Sequence, residues 1–315
     1  MWDMIAVGEV LIDLTQTGYS GQGIPLFAAN PGGAPANVAV AAARLGASCA
    51  FVGKVGRDGF GAYLRRVLEE NGVNSAGVRT GEGATTLAVV SLSPEGERSF
   101  QFLRGADREL TPKEISLEGL KETRVLHFGS VSLTAEPARS ATLCAVQEAR
   151  QLGKLVNYDP NYRAALWSSQ EEAVVWMRRP LPMVDLIKLS REELPLLTGT
   201  EELERGAELL AGQGIRLVLV TLGAGGVFYR WQGATGTIPG IPVAVADTNG
   251  AGDTFLGAVL SRLVRRGPGL LERLGTGELE EILAFANRAA ALTCSRSGAI
   301  PAMPTLSELE GPTGP

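Results

Sequence analysis

Hydrophobic and polar positions follow two alternating rhythms along the chain, which predict strands and helices in turn. Apolar runs of strand length are "MIAVGEV", "CAFVGKVG", "RVLHFGS", "KLVNYD", "LIKLS" and "IRLVLVTLG". Stretches with helical spacing separate them: "NVAVAAARLG", "GFGAYLRRVLEENG", "ATLCAVQEARQLG" and "ELERGAELLAGQG". The first two helices are expected to end at Gly46 and Gly72. Continuously apolar strands that alternate with helices predict a mostly parallel sheet with helices on both faces.

Two regions, residues 11–31 and 85–105, break this rhythm. The second, "TTLAVVSLSPEGERSFQFLRG", predicts two paired strands around a turn at residues 93–96. The alternation is amphipathic, so one face of this small sheet should be covered, either as a lid over a cleft or by a dimer partner. We therefore predict an α/β core and a small β lid. The core comprises residues 1–10, 32–84 and 106–315, and the lid comprises residues 11–31 and 85–105.

Composition narrows the class of protein. The 315 residues are 45% hydrophobic and 20% charged, which suffices for a large core, and the net charge of -5 argues against nucleic acid as a partner. Cys49, Cys144 and Cys294 form no CxxC pair and are predicted to be buried small hydrophobes. Glu9 and Asp13 interrupt the first apolar run too early for a secretion signal, and no run reaches the roughly 20 apolar residues of a membrane span. These features predict a cytoplasmic protein with no membrane partner.

Ligands of open parallel sheets bind beyond the carboxyl ends of the strands, where the polar motifs of this chain also occur. The stretch "DTNGAGDTFLGAVL", residues 247–260, places small residues before a helix. Unpaired backbone N–H groups of Gly250, Ala251 and Gly252 would bind an anion there, and we call these three amides the anion hole. Asp253 in the first turn can accept a proton from a hydroxyl group, although an Asp at this position can also serve only as a helix cap. Asp247 is expected to anchor the loop or an ion.

The stretch "DTNGAGDTFLGAVL" closely resembles the C-terminal signature of the PfkB (ribokinase-like) family, and "GGAPANVAVAAARLGASCAFVGKVG" resembles its N-terminal signature. Intervening segments look like the fructokinase branch: "GEVLIDL", "RGADREL", "HFGSVSLTAEP", "YDPNYRAALW" and "DLIKLSREELPLLTG". The resemblance extends from Ala6 to about Pro304. It implies a ribokinase-like three-layer α/β/α sandwich with a small β lid. It also implies ATP and Mg²⁺ as cosubstrates and phosphorylation of D-fructose to D-fructose 6-phosphate.

The resemblance also implies roles for individual residues. Asp253 is similar to the family's catalytic base, and residues 250–252 are similar to its anion hole. Residues at sugar-binding positions are Asp13, Gly32, Gly33 and Asn37. Arg104, at the end of a lid strand, is expected to reach a sugar hydroxyl or the phosphoryl group once the lid closes, with a plain surface arginine as the alternative. Arg163 resembles a position that faces the substrate.

On the nucleotide side, the residues that match the family are Lys188, Thr221, Gly223, Gly226 and Asn287, the last beside the adenine. Many members carry an Asn-x-x-Glu motif near Mg²⁺; here Glu193 matches the Glu, and Ser190 stands at the Asn position. A serine can still bind a water of the metal shell. The loop "CSRSGAI", residues 294–300, together with Asp247, resembles a site at which many members bind a monovalent cation such as K⁺.

Other classes of protein fit the sequence less well. It contains neither a GxGxxG after the first strand nor a GxxxxGK[ST], which argues against nicotinamide-dependent and Walker-type enzymes. The single histidine, His127, lies in an apolar strand and is predicted to be a core residue. A non-enzymatic sugar-binding relative would have a damaged base or anion hole, and both are intact. Within the family the alternatives are a 2-keto-3-deoxygluconate kinase, with Arg104 or Arg163 on the carboxylate, and a nucleoside kinase. A homodimer through the exposed lid face is also expected.

Overall fold

Strands and helices alternate as the hydrophobic pattern predicts, in a computed structural model that describes residues 1–92, 98–267 and 269–311. The predicted turn at residues 93–96 lies outside the described residues. In chain order the strands are β1 (Trp2–Val7), β2 (Leu11–Tyr19), β3 (Pro25–Gly32), β4 (Cys49–Val55), β5 (Val73–Thr80), β6 (Leu87–Leu92), β7 (Arg98–Leu103), β8 (Thr123–Gly129), β9 (Leu155–Asp159), β10 (Leu186–Ser190), β11 (Leu217–Thr221), β12 (Val227–Trp231) and β13 (Ala234–Ile238). The helices are α1 (Ala34–Arg44), α2 (Gly59–Glu70), α3 (Leu117–Lys121), α4 (Ala138–Gln151), α5 (Gln170–Arg178), α6 (Leu194–Thr198), α7 (Leu203–Ala211), α8 (Ala251–Val264), α9 (Thr276–Cys294) and α10 (Leu306–Glu310).

The larger sheet has the strand order β13-β12-β11-β10-β9-β8-β1-β4-β5. From β11 to β5 in this order, all neighbouring strands are parallel. Beyond β11 the sheet is extended by β12, which pairs antiparallel with β11, and by β13, which pairs antiparallel with β12. The chain adds β4 and β5 on one side of β1 and then crosses to β8 on the other side. The strand order therefore reverses beside β1, and the carboxyl ends of the strands next to this reversal are where a ligand crevice is expected.

Helices pack on both faces of this sheet. Successive residues of β1 point to opposite faces, so Met4 and Ala6 join one buried cluster while Ile5 and Val7 join the other. One cluster contains residues of α1, α2, α8 and α9, and the other contains residues of α3 to α7. The predicted three-layer α/β/α architecture with a mostly parallel sheet is thus confirmed.

A second sheet of four strands, in the order β3-β2-β6-β7, accounts for the two regions that break the α/β rhythm. β2 pairs antiparallel with β3 and parallel with β6, and β6 pairs antiparallel with β7. Large apolar side chains on β3, including Leu26 and Phe27, and in the residues just before it are exposed. This sheet continues directly into α1, because Gly32 ends β3 and α1 begins at Ala34.

Two cysteines differ from the prediction. Cys49 is buried in β4 as expected, but Cys144 and Cys294 are only half-buried. Cys144 lies at the margin of the buried stripe of α4, and Cys294 is the last residue of α9, where the chain turns toward solvent. His127 is buried in β8 and its Nδ1 lies 2.7 Å from the Asn157 amide nitrogen, so it is a core residue, as predicted. No helix in the described parts of the chain is both long and apolar enough to cross a membrane.

Candidate active site

The N-terminus of α8 lies at the carboxyl edge of the larger sheet. Gly250 caps the helix in a left-handed conformation with φ 76°, which a residue with a side chain rarely adopts. The Ala251 N–H makes a long bond, 3.3 Å, to the Thr248 carbonyl, so it is not fully unpaired as the sequence suggested. The amides of Gly250 and Gly252 donate no hydrogen bond within the described part of the chain. Two of the three anion-hole amides are therefore open to an anion, with the favourable end of the helix dipole behind them.

Asp253 follows in the first turn of α8 and is buried, with 8% of its surface exposed. Its Oδ2 accepts a hydrogen bond of 2.8 Å from the Asn37 side-chain amide, which projects from α1. Its Oδ1 accepts a longer bond, 3.3 Å, from the Asn161 side-chain amide on the loop after β9. Burial raises the pKa of Asp253, and the charge of Asp159 raises it further, while Lys188, the Asn37 bond and Arg163 act in the opposite direction.

A buried ion pair lies beneath the anion hole. Lys188 Nζ on β10 lies 2.9 Å from Asp159 Oδ2 at the end of β9, and both side chains are almost fully buried. A Cβ atom at Gly252 would lie only 3.0 Å from the same nitrogen, so the ammonium group lies directly against the anion hole. Burial lowers the pKa of Lys188, but the carboxylates of Asp159 and Glu193 outweigh burial and leave this pKa raised. Lys188 therefore carries its charge next to the backbone amides that would bind an anion.

The predicted sugar-binding residues meet between α1 and the four-stranded sheet. A side chain at Gly32 would overlap with the Asp13 carboxylate, and one at Gly33, where φ is 105°, would lie 2.6 Å from the Glu9 carbonyl. Gly32 therefore lets the chain pass close to Asp13, and Gly33 lets it pass close to the backbone of Glu9. Burial raises the pKa of Asp13 to about 6; Arg163 lowers it and the charge of Asp253 raises it. Asp13 and Asp253 thus lie close enough to influence each other electrostatically.

The two predicted arginines occupy different surroundings. Arg104 is 9% exposed and forms a 2.5 Å ion pair with Asp107, and it also donates a 2.7 Å bond to the Thr134 hydroxyl. Its guanidinium thus lies in a buried cluster at the base of the four-stranded sheet, which the sequence did not indicate. Arg163 is exposed, and its guanidinium donates to the neighbouring Tyr162 carbonyl at 3.2 Å. Arg163 is therefore free to meet a ligand, and its charge acts on both Asp13 and Asp253.

Apart from Lys188, the predicted nucleotide residues lie at the end of β11, in the turn after it, and in the middle of α9, where Asn287 contacts the end of β13. The Thr221 hydroxyl donates to the Leu189 carbonyl at 3.4 Å, and the turn after β11 contains Gly223 and Gly226, both with positive φ. The Asn287 amide donates to the carbonyls of Ile238 and Pro239 at 3.2 and 2.9 Å. Asn287 therefore fixes the loop after β13 against α9, and the three segments border one side of the carboxyl edge of the sheet.

The two predicted metal residues are both engaged with backbone amides. Glu193 accepts bonds from the Tyr162 and Ser190 N–H groups at 2.6 and 2.7 Å, and burial raises its pKa. Asp247 accepts bonds from the Asn249 and Gly298 N–H groups at 3.1 and 3.0 Å, which ties the loop before α8 to the loop after α9.

Among the described residues there is no group of three or more His, Cys, Asp or Glu side chains that could hold a metal. A small cleft of about 220 Å³ is nevertheless lined by Ser190, Glu192, Glu193 and Lys188. Mg²⁺ in kinases is bound through one or two carboxylates together with phosphates and waters. This arrangement fits an Mg²⁺ ion carried mainly by nucleotide phosphates and water, and it does not fit a closed protein cage.

Sequence reasoning missed two features of this site. Asn161 contacts Asp253, and Asp159 pairs with Lys188. The available signal was the segment "YDPN", which places polar side chains immediately after a buried strand, as at the neighbouring strand ends. A lysine in the apolar run "LIKLS" was a second signal, because a buried lysine requires a paired carboxylate.

Curated relatives cover nearly the whole chain. Fructokinase-1 of Oryza sativa subsp. japonica is 44% identical over 312 residues, which are 97% of this chain and 96% of the rice protein. Fructokinase-2 of Solanum lycopersicum is 43% identical over 311 residues, 97% of this chain and 94% of the tomato protein.

Solved structures agree with these relatives. A fructokinase with bound ATP from Xylella fastidiosa superimposes with a TM-score of 0.91 at 33% identity, over 98% of each chain. A fructokinase from Vibrio cholerae O395, in a form with bound fructose, ADP and calcium ion, gives a TM-score of 0.86 at 33% identity, also over 98% of each chain. The family profile described as pfkB family carbohydrate kinase matches residues 1–306. The chain therefore belongs to the pfkB family of carbohydrate kinases, the phosphotransferases that act on a sugar hydroxyl, as its two signature motifs predict.

Proposed function

We propose that this protein is an ATP-dependent fructokinase, which converts ATP and D-fructose to ADP and D-fructose 6-phosphate. One observation carries the proposal. Asp253, held by two amide donors, lies in the first turn of a helix whose open N-terminal amides rest against the buried charge of Lys188. A carboxylate and an anion-binding backbone at one helix end are the two groups that phosphoryl transfer to an alcohol requires. The identity of about 43% to proteins named fructokinase supports fructose as the acceptor.

Asp253 is the catalytic base in this proposal. Its carboxylate accepts the proton of the primary hydroxyl of the sugar while the hydroxyl oxygen forms its bond to the γ-phosphorus of ATP. The bond between that phosphorus and the β–γ bridging oxygen breaks, and ADP leaves with the electron pair. The hydrogen bonds that the side-chain amides of Asn37 and Asn161 donate, together with the charges of Lys188 and Arg163, favour the ionised form of Asp253 that this step needs.

The anion hole and Lys188 stabilise the group in transfer. The amides of Gly250, Ala251 and Gly252 face the negative charge on the phosphoryl oxygens, and the long bond from Ala251 to Thr248 is weak enough to be given up. Lys188 adds a full positive charge from below Gly252. Because both groups are fixed before the substrates bind, little reorganisation is required during the reaction.

Sugar binding involves Asp13, Gly32, Gly33, Asn37 and Arg163. The carboxylate and amide accept from and donate to neighbouring hydroxyl groups, while the glycines allow the sugar to approach the backbone. The lid, residues 11–31 and 85–105, closes over the core, residues 1–10, 32–84 and 106–315, and excludes water from the reaction. Arg104 pairs with Asp107 and donates to the Thr134 hydroxyl at the base of the lid, and it is proposed to reach a sugar hydroxyl or the phosphoryl group once the lid closes.

The nucleotide binds along Thr221, Gly223, Gly226 and Asn287, with its phosphates directed toward Lys188. Glu193, through bound waters, and Asp247 are the residues that would hold Mg²⁺ together with the phosphates, and the ion would supply positive charge that offsets the charge on the phosphates. K⁺ is proposed at the backbone carbonyls of residues 294–300, because Asp247 already ties that loop to the anion hole. A Vibrio cholerae fructokinase variant has been solved with fructose, ADP and potassium ion.

The protein is proposed to act in the cytoplasm as a homodimer through the exposed face of the lid, where Leu26 and Phe27 are 47% and 41% exposed. If the protein sedimented as a monomer at micromolar concentration, the proposed dimer would be contradicted.

The substrate is tested with one coupled assay that detects ADP. The purified enzyme is given ATP and Mg²⁺ with fructose, ribose, 2-keto-3-deoxygluconate or adenosine. Fructose is expected to give the highest kcat/KM. A higher kcat/KM with 2-keto-3-deoxygluconate would instead assign Arg163 to the carboxylate of an acid substrate, and absence of ADP formation with all four acceptors would refute the proposed activity.

A further inference from the structure

Asn161 contacts the catalytic base, although it lies far from it in sequence. It follows β9 in the segment "YDPNYR", and its side-chain amide donates to Oδ1 of Asp253 at 3.3 Å. Asn37 donates to the other oxygen at 2.8 Å from α1. Two amides on separate elements therefore fix the plane of one carboxylate.

The backbone around Asn161 is held firmly. Asn161 has φ 44°, one of two described non-glycine residues with positive φ. Its own N–H donates to Asp159 Oδ1 at 3.2 Å, and the other oxygen of Asp159 binds Lys188. The next N–H, of Tyr162, donates to Glu193 at 2.6 Å. Such a conformation persists where the surroundings over-determine it, and it is frequent at functional sites.

The two bonds to Asp253 differ in length, and this difference has a chemical consequence. The short hydrogen bond from Asn37 fixes the position of Oδ2, whereas the bond from Asn161 is close to the longest distance at which a hydrogen bond forms. Oδ1 is therefore the oxygen that more readily accepts a further donor. A sugar hydroxyl directed at Asp253 would meet Oδ1 beside the Asn161 amide.

We propose that Asn161 is a positioning residue for phosphoryl transfer, which holds Oδ1 of Asp253 ready for the acceptor hydroxyl and shares this oxygen with that hydroxyl when the sugar binds. The inference rests on the proposed role of Asp253 as base. Asn161 acts through Asp253, so its loss lowers turnover more than it lowers sugar affinity. A carboxylate in place of the amide would put a negative charge beside Asp253.

The charged groups that face Asp253 come from every element around it. They are Asp13 on β2, Asp159 at the end of β9, Arg163 after β9 and Lys188 on β10. Two of them are negative and two are positive, so the present balance depends on a neutral residue at position 161. A fifth charge at this position alters the pH at which Asp253 ionises, because two close carboxylates cannot both ionise freely.

The test uses Asn161→Gly and Asn161→Asp. Glycine adopts φ 44° without strain, so Asn161→Gly removes the amide and keeps the loop. Aspartate keeps the shape and tolerates this φ, so Asn161→Asp replaces the donor by a carboxylate. The matched control is Gln232→Gly, because Gln232 is the other described non-glycine residue with positive φ, 50°, and lies in the turn between β12 and β13.

We measure kcat and the KM for fructose from pH 5 to 9, together with thermal unfolding. Asn161→Gly is expected to lower kcat about 10-fold or more, the loss expected for one hydrogen bond to a charged group, with KM changed less than about threefold. Asn161→Asp is expected to move the acid limb of kcat upward by about 1 pH unit or more. Gln232→Gly is expected to match the wild-type protein in kcat, KM and pH profile.

Wild-type kcat and pH profile in both Asn161 variants would overturn the inference, and if Asn161→Asp failed to fold, Asn161→Gly alone would decide. Equal losses in Asn161→Gly and Gln232→Gly would also overturn it, because they would point to the backbone. Asp253→Asn separates the two proposals. An inactive Asp253→Asn beside fully active Asn161 variants refutes only the positioning role, whereas an active Asp253→Asn refutes the proposed mechanism itself.

Discussion

Gly257 allows α8 to approach α1 closely next to Asp253, the proposed base, and a single methyl group added there tests whether this approach matters. Gly257 lies one helical turn after Asp253 in α8. A Cβ atom at this position would lie 2.6 Å from Ala41 Cβ and 2.9 Å from both the Ala42 nitrogen and the Val38 carbonyl oxygen. Two of these three atoms belong to the backbone of α1, so they cannot move aside without moving the helix. Gly257→Ala must therefore push α1 and α8 apart.

The expected magnitude follows from these distances. Relief of the overlap requires the helices to separate by about 1 Å, because packed interiors have no spare space. Overpacking costs about 1–3 kcal/mol, from which about 1 kcal/mol is recovered through the helix propensity of alanine. The Asn37–Asp253 bond, now 2.8 Å, crosses between the same helices and would lengthen beyond hydrogen-bond range. Loss of a bond to a charged group costs about 1.5–3 kcal/mol, which corresponds to a fall in turnover of about 10-fold or more.

The assay combines denaturant unfolding with fructose phosphorylation. Gly277→Ala in α9 is the control, because among the described residues no atom outside the local backbone of α9 lies within 4 Å of a Cβ atom there. This control is expected to keep wild-type turnover and to gain at most about 1 kcal/mol of unfolding free energy. Wild-type turnover and stability in Gly257→Ala, or a loss of turnover equal to that of Gly277→Ala, would show that the close packing of α1 against α8 at Gly257 does not maintain the Asn37–Asp253 bond.

Three further predictions follow from charges in and beside the site. Burial raises the pKa of Asp13 to about 6, and the ionised carboxylate is the form that accepts hydrogen bonds from the sugar hydroxyls. The KM for fructose is therefore expected to rise about tenfold per pH unit below pH 6, while the KM for ATP stays constant. A KM for fructose that does not change from pH 5 to 8 would exclude Asp13 from sugar binding. Lys188→Met leaves the buried carboxylate of Asp159 without its positively charged partner, so it is expected to lower the unfolding free energy by about 3–5 kcal/mol and to reduce turnover; unchanged calorimetric unfolding would disprove the pairing. Burial raises the pKa of Glu9 from 4.5 to about 7, so the folded state binds its proton more tightly than the unfolded state. This stabilisation is complete below pH 4.5 and is lost as the pH rises to 7. Glu9→Gln is expected to lack this loss of about 3 kcal/mol, and the same pH dependence in the variant would reject the assignment.

The fold follows from the sequence because its signals are local. Apolar runs and helical periods give the elements, and Gly46 and Gly72 end α1 and α2 with φ 92° and 77°, as their positions predict. The anion hole and Asp253 are equally accessible to sequence reasoning, because all four residues are consecutive. These residues act together because they form the N-terminus of one helix, and the position of a helix N-terminus is encoded by the residues that form it.

The remaining parts of the site depend on contacts between distant segments. The ion pair of Lys188 with Asp159 arises because β9 and β10 are parallel neighbours, a pairing that the composition of either strand does not encode. Asn161 reaches Asp253 through a left-handed backbone that asparagine adopts only in some contexts. Arg104 donates to the hydroxyl of Thr134, which is 30 residues away in the chain, and this contact has no signal in the sequence around Arg104. Such choices among partners are decided by tertiary packing.

The central claim is that Asp253 removes the proton of the acceptor hydroxyl beside the anion hole, and the phosphoryl-transfer rate of Asp253→Asn tests it most directly. This variant keeps the size of the side chain and one acceptor oxygen but cannot take up the proton. Fructose and ATP are expected to bind with affinities close to those of the wild-type protein, whereas turnover falls at least about 100-fold. Turnover close to that of the wild-type protein, with both substrates bound, would show that Asp253 is not the base.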